Sequence, residues 1–250
     1  MLAVVGNLSI DSVAGSSRRI GGGPFHAARA LRALDAQAGI VARCADEDRG
    51  FLLPRLAAVG LPVQLLNAAR TARFSFAYDG DVRMMNVDAI GEAWTVRDAQ
   101  AIDRRVRWLH VAPLVRSDFP LETIAELARG RSLLLDGQGL VRRPQLGPLE
   151  LDADFDPALL RHVTILKLAA EEAEVVGDVD VPELLVTFGS GGSLVRVGGR
   201  ETHVPARPLP RDPTGAGDAF GAAYLASRAA GQAPVAAARR ATAVVGALLG

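Results

Sequence analysis

The sequence predicts an α/β fold: a mostly parallel sheet flanked by helices on both faces, with one small β excursion from that body. Three observations predict it. Short apolar runs alternate with helix-spaced segments from Leu2 to Gly177, and such alternation builds parallel βαβ units. Glycine stops several of the helices after short connections, as crossover helices between parallel strands require. The stretch from Thr71 to Trp94 alone changes to a period of two. At 250 residues the chain can bury one large core, so it is read as a single domain, 1–250.

Leu2–Val5 is a short buried strand. Phe25–Leu34 has helical spacing and ends at Asp35-Ala36-Gln37-Ala38-Gly39, before the strand Ile40–Arg43. Phe51–Val59 is a helix stopped by Gly60 with Pro62 just beyond, and Val63–Leu66 is the next strand. Arg73–Tyr78 alternates, Asp79-Gly80-Asp81 is a hairpin turn, and Val82–Val87 runs back. A helix over Ala99–Arg105 leads into the strand Trp108–Val111. Leu121–Arg129 is a helix closed by Gly130 before the strand Leu133–Asp136. Leu159–His162 precedes the strand Thr164–Lys167, and Glu171–Val176 is a helix ended by Gly177. Ligands of such sheets bind beyond the carboxyl ends of the strands, where Asp11, Asp136 and a glycine turn at Gly215–Gly217 are placed to converge.

Composition narrows the function classes. Basic and acidic residues balance at 28 each, which gives no footprint for nucleic acid or an anionic membrane as the main partner. Cys44 is the only cysteine, so an internal disulfide is excluded and a cysteine metal site disfavoured. The four histidines, His26, His110, His162 and His203, lack zinc-ligand spacing. No apolar run approaches a membrane span, and the first residues read as a strand rather than a signal peptide, so a cytoplasmic location is expected. Lys167 is the only lysine and follows no glycine loop, which excludes a Walker P-loop. Gly6-Asn7-Leu8-Ser9-Ile10-Asp11 lacks the Gly-x-Gly-x-x-Gly pattern of a dinucleotide-binding oxidoreductase.

Asp212-Pro213-Thr214-Gly215-Ala216-Gly217-Asp218-Ala219 is the most informative stretch. A Gly-Ala-Gly turn opening a helix exposes unpaired N–H groups beside the positive end of the helix dipole, a cradle for phosphate. Asp218 is out of place beside a permanently bound phosphate. It suits a base that takes a proton from a hydroxyl while the amides stabilise a transferring phosphoryl group. Asp11, acceptor-only when ionised, suits two hydroxyls of a polyol.

The octet, continued by Phe220, resembles the C-terminal signature of the ribokinase-like (PfkB) carbohydrate kinases. Val4–Asp11 resembles that family's first strand, Gly21-Gly22-Gly23-Pro24 its N-terminal glycine motif, and Val186–Leu194 its nucleotide-side strand-turn-strand. The order agrees along essentially the whole chain. The resemblance implies an ATP-dependent kinase acting on a hydroxyl of a sugar, an inositol-like polyol or a nucleoside. It makes Asp218 the general base and Gly215, Ala216 and Gly217 the anion hole. It sets Asp11, Ser9, Gly22, Gly23 and His26 around the acceptor, and Thr187, Gly189, Gly192 and Thr214 on the nucleotide side. Glu172 organises Mg²⁺ through water, and Asp212 positions a monovalent cation. Residues of about 11–20 and 71–92 become a β lid that excludes water, with Ile10–Ile20 as a partner strand. A homodimer through that lid is implied, because an isolated hairpin is only marginally stable.

Two positions depart from the family pattern. His26 stands where these kinases commonly carry a sugar-binding Asn, and Ala169 stands where Asn opens the Asn-x-x-Glu metal motif that Glu172 completes. The Ala169 departure motivates an alternative: a catalytically weak sugar-sensing protein on the same fold. An intact Asp218 argues against it.

Overall fold

The computed structural model describes residues 1–13, 18–79, 82–207 and 214–249. The strands are β1 (Leu2–Asn7), β2 (Ser9–Val13), β3 (Arg19–Gly21), β4 (Ala38–Ala45), β5 (Val63–Ala68), β6 (Ala72–Asp79) and β7 (Val82–Ala89). Further along come β8 (Trp108–Val111), β9 (Ser132–Asp136), β10 (Gly147–Pro148), β11 (Ile165–Ala169), β12 (Glu183–Thr187), β13 (Ser193–Val197) and β14 (Arg200–Val204). The helices are α1 (Gly23–Ala33), α2 (Arg49–Ala57), α3 (Val96–Gln100), α4 (Leu121–Ala128), α5 (Gln138–Val141), α6 (Ala170–Val176), α7 (Ala216–Ala229) and α8 (Pro234–Leu249).

Nine strands form the main sheet in the order β14-β13-β12-β11-β9-β8-β1-β4-β5. All neighbours from β12 to β5 are parallel, and the β12-β13-β14 edge is antiparallel. Side-chain alternation divides the core between the two faces. Val5, Leu133, Leu135, Leu166 and Leu168 pack with Trp94, Ile124 and Leu127 on one face. Val4, Leu134, Ile165 and Leu185 pack with Leu31, Phe220, Tyr224 and Ala241 on the other. The expected fold class is therefore the observed one. No described helix is long and apolar enough to cross a membrane.

The second face fixes α7. Ala222 and Ala223 are fully buried, and Gly221 beside them lets the helix approach the sheet closely. Tyr224 donates to Glu183 Oε2 at 2.8 Å, and Arg228 Nε donates to the same oxygen at 3.1 Å. These bonds tie α7 to the start of β12 and set where its first turn points.

A second sheet of five strands has the order β10-β7-β6-β2-β3. It differs from the sequence reading in three ways. The single partner strand expected over Ile10–Ile20 is two strands, β2 and β3, paired antiparallel with Asp11 opposite Arg19. β2 also runs parallel to β6, with Asp11 opposite Phe74. The two-residue β10 closes the far edge on β7. Gly80 and Asp81 of the expected turn lie outside the described residues. Phe74, Phe76 and Val87 bury the inner face of this sheet against Leu114 and Val115. Elsewhere α3 begins earlier than read, because Thr95 caps it: Asp98 N–H donates to Thr95 Oγ1 at 3.2 Å, and Thr95 N–H to Asp98 Oδ2 at 2.8 Å. β14, α5 and α8 have no counterpart among the elements expected from the sequence.

Buried polar groups weld the root of the second sheet to the main one. The Arg43 side chain, 5% exposed, donates to Ala93 O, Asp98 Oδ2, Asn67 O and Glu92 Oε2. Trp94 Nε1 donates to Asn7 Oδ1 at 3.1 Å, and Asn7 Nδ2 donates to Glu92 O at 3.1 Å. Asp118 Oδ2 accepts from the Leu114 N–H at 2.7 Å, and its backbone O accepts from Trp94 N–H at 2.7 Å. Burial pushes the Asp118 carboxyl up to about 6, against the Leu114 amide, Asn7 and Arg43, which favour its charge.

A raised carboxyl binds its proton more tightly in the folded than in the unfolded chain. Its contribution to stability is therefore present below the unfolded pKa and lost as pH rises to the folded one. Asp118→Asn keeps an acceptor for Leu114 and cannot ionise. Between about pH 4 and pH 7 the variant should gain on the parent by up to about 3 kcal/mol. Denaturant melts of both proteins at the two pH values measure this, and a pH-independent difference would contradict it.

Candidate active site

The site lies at the carboxyl ends of β1, β8, β9 and β11, where α1 and α7 begin. On one side, Ser9 Oγ donates to Asp11 Oδ1 at 2.7 Å, with Ser9 buried and Asp11 half-buried. Gly21 lies against this pair: a Cβ there would stand 2.1 Å from Asp11 Oδ2 and 2.4 Å from Ser9 Oγ. Gly22 caps α1 at φ 96°, and a Cβ would meet Asn7 O at 2.6 Å. Only glycine satisfies both that backbone conformation and that approach. A Cβ on Gly23 would stand 2.4 Å from Ala112 Cβ and 2.8 Å from Asp218 Oδ1. The triple glycine thus brings the β3–α1 junction directly onto Asp218.

On the other side, Gly215 takes φ 79° to open α7, with Thr214 half-buried just before it. By helix geometry the first N–H groups of α7, from Ala216 onward, have no intrahelical acceptor. A Cβ on Gly215 would stand 2.2 Å from His26 Nδ1, and that nitrogen is buried with no hydrogen-bond partner among the described residues. Ser9, Asp11, Gly22, Gly23, His26 and the Gly215–Asp218 turn are therefore brought together. Asp212 lies outside the described residues.

Beneath the turn is a charged network that the sequence reading had not assembled. A Cβ on Gly217 would stand 2.7 Å from Lys167 Nζ. Lys167 is bound to Asp136 Oδ1 at 3.1 Å, and Asp136 Oδ2 is 2.6 Å from His110 Nε2, with all three side chains buried. Burial works against the Asp136 charge, but Lys167 and His110 outweigh it and hold its carboxyl down to about 2. The ionised Asp136 can only accept, so the proton of its bond to His110 sits on Nε2. Burial likewise works against the Lys167 charge, yet Asp136, Glu172 and Asp218 outweigh it and keep the ammonium above its ordinary value. The Asp218 carboxyl moves the opposite way from Asp136. Burial first, and then the Asp136 charge, push it up, with His26, Lys167 and His110 opposing. Of two carboxylates sharing one region, Asp136 holds the direct partners and stays ionised, and Asp218 becomes the stronger base.

Glu172 is buried in the first turn of α6, and its Oε2 accepts from the Ala169 N–H at 2.8 Å. Ala169 pairs with Thr187 across β11 and β12, and Thr187 Oγ1 donates to Leu168 O at 3.2 Å. Gly189 and Gly192 lie one strand farther out, in the turn between β12 and β13. Gly192, at φ 94°, has a structural reason to be glycine: a Cβ would meet Val204 O at 2.2 Å. Among the described residues no three His, Cys, Asp or Glu side chains gather as a metal cage.

A family model described as pfkB family carbohydrate kinase matches residues 15–249. An ATP-dependent ribose-1-phosphate kinase of Halopiger xanaduensis is 29% identical over 228 residues, covering 85% of this chain and 74% of that protein. In fold, the chain is similar to a solved pyrophosphate-dependent kinase in the ribokinase family, complexed with a pyrophosphate analog and myo-inositol. The TM-score is 0.87 at 23% identity, over 100% of this chain and 95% of that one. It is also similar to a nucleoside kinase of Burkholderia thailandensis in complex with inosine, with a TM-score of 0.78 at 21% identity, over 100% and 90% of the two chains.

Gly215→Ala should lose stability by about 1 kcal/mol or more, since a left-handed residue is strained and its methyl group would strike His26. Thermal melts test the stability, and calorimetric titration with inorganic pyrophosphate tests the expected weakening of anion binding. A variant with parental melting and parental anion affinity would remove the turn's claim to be a conformationally strict cradle.

Proposed function

We propose that this chain, which belongs to the pfkB family of carbohydrate kinases, transfers the γ-phosphoryl group of ATP to a hydroxyl of a sugar, an inositol-like polyol or a nucleoside, with Asp218 as the base. One observation carries the reading: the Asp218 carboxyl lies at the opening of α7 and against Gly23, which joins it to the Ser9–Asp11 side of the cleft. Family membership makes the protein a carbohydrate kinase, and the ATP-dependent relative supports ATP as donor.

The acceptor hydroxyl would be held by Asp11, with Ser9 donating to that carboxylate and so fixing its orientation. Backbone groups at Gly22 and Gly23 approach closely enough to add contacts, and His26 lies where it can meet the acceptor or the turn. As the acceptor oxygen forms its bond to phosphorus, its proton passes to Asp218, and the bond to the departing phosphate group breaks. The Gly215, Ala216 and Gly217 amides meet the charge on the transferring group. Thr214, Thr187, Gly189 and Gly192 lie toward the donor side. Glu172 would hold Mg²⁺ through water, and the ion would supply positive charge against the donor phosphates; a single carboxylate suits an ion that keeps most of its waters. Asp212 remains the proposed neighbour of a monovalent cation. The second sheet would act as a lid that keeps water from accepting the phosphoryl group.

A donor-consumption assay with ATP or pyrophosphate, across sugars, ribose 1-phosphate, inositols and nucleosides, tests the reading. Transfer from ATP to one acceptor class is expected. Acceptor binding without turnover from either donor would favour a sensor, and turnover only with pyrophosphate would overturn the choice of donor. On the best acceptor, Asp218→Asn should lower turnover by about a hundredfold or more while both ligands still bind. Because the Asp218 carboxyl is raised, the acid limb of the parent's rate should lie above the ordinary carboxylate range.

Ala169→Asn should lower the free Mg²⁺ needed for half-maximal rate, by about tenfold, with little change in acceptor affinity. Superimposable Mg²⁺ titrations of the two forms would remove the reason for placing the metal beside Glu172.

A further inference from the structure

Lys167 is the only lysine of the chain, and it lies in a strand whose other side chains are mostly apolar. Its side chain is 9% exposed, and its ammonium reaches the Gly217 position in the first turn of α7, where a Cβ would stand 2.7 Å from Nζ. There it lies directly beneath the turn whose amides form the anion cradle. Asp136 grips it from the β9 side, and His110 holds the second Asp136 oxygen from β8. A purely structural ion pair has no need of a glycine turn above it.

We propose that Lys167 is a fixed cation of the phosphoryl-transfer site, presenting its ammonium to the transferring group from beneath the Gly215–Gly217 turn, with Asp136 and His110 as positioning residues. The inference rests on the kinase reading and adds a residue to it. In the transfer, the acceptor O–H bond breaks with its proton going to Asp218, the acceptor O–P bond forms, and the donor P–O bond breaks with its electron pair leaving on the donor phosphate. Lys167 exchanges no proton and forms no covalent bond. It offsets negative charge on the oxygens of the group in flight, at a place with little water to screen it.

Removing Lys167 alone would strand buried carboxylates and threaten folding. The comparison is therefore made in a background without the Asp136 charge. Asp136→Asn keeps the ammonium, with Glu172 and Asp218 still nearby, but loosens its grip, so it should bind ATP and inorganic pyrophosphate more weakly than the parent and serves as the reference for removing the cation. The double variant Asp136→Asn/Lys167→Met should bind both at least about tenfold more weakly than Asp136→Asn, by calorimetry. Its turnover should fall by a further hundredfold or so with acceptor affinity unchanged. If the methionine variant does not fold, Lys167→Gln in the same background gives the same comparison.

Equal donor-anion affinity of single and double variants overturns the proposal, as does a parent that binds neither anion. A parent that binds the anions through Lys167 yet phosphorylates no acceptor removes the kinase reading and leaves Lys167 as an anion-binding residue. The two failures are thus told apart.

Discussion

Much of the site's geometry depends on one buried positive charge among three carboxylates. Asp136 and Glu172 are almost fully buried, and Asp218 is half-buried beside them. Such a group could not fold in ionised form without compensation, because each buried ion costs several kcal/mol even after relaxation. Lys167 answers part of that cost, His110 another part, and the Ala169 amide, which donates to Glu172, a further part. The same arrangement divides the labour between acids. Asp136 is spent on holding the cation, which leaves Asp218 with a raised affinity for protons and freedom to accept one.

A second constraint concerns how the small sheet meets the large one. Arg43 reaches four acceptors around residues 67–98, and Trp94 and Asn7 lock the same crossover to the end of β1. Asn7 is also the residue whose carbonyl presses on Gly22. The root of the second sheet and the glycine start of α1 therefore share a support. Any closing movement of that sheet over the cleft has to leave this root intact, and so must arise in the strands beyond it.

The parallel body and the glycine-rich turns were legible in the sequence because each is written in contiguous residues. An apolar run announces β1 or β9, and Thr214–Asp218 announces its own turn. The network under the turn is not contiguous. His110 and Asp136 are 26 residues apart and meet only because β8 and β9 are neighbours in the sheet. Along the chain, Lys167 signals only the end of a strand and the P-loop it lacks. The available signal was its isolation: a lone ammonium between Leu166 and Leu168, in a chain that otherwise uses arginine, needs a buried partner. Sheet order supplies Asp136, paired directly with Lys167 in register. The splitting of Ile10–Ile20 into two strands was equally hidden, because a period-two pattern does not reveal where a strand reverses.

Ala169 illustrates how local geometry can offset a missing side chain. An Asn at the end of β11 would ordinarily help to orient Glu172 toward a metal-bound water. Here the Ala169 backbone N–H already engages Glu172 Oε2, because Glu172 is the third residue of α6 and reaches back to the residue before the helix. The carboxylate is thus aimed by the helix start itself, whatever stands at 169. On the proposed reading the alanine would cost a second polar group for the metal's water, and what remains nearby is the Lys167 ammonium, electrostatically coupled to Glu172. On the same reading, a fixed cation and a mobile one would both offset charge on the donor phosphates. Weaker retention of Mg²⁺ would then be a smaller loss, because part of the positive charge is kept permanently in the fold.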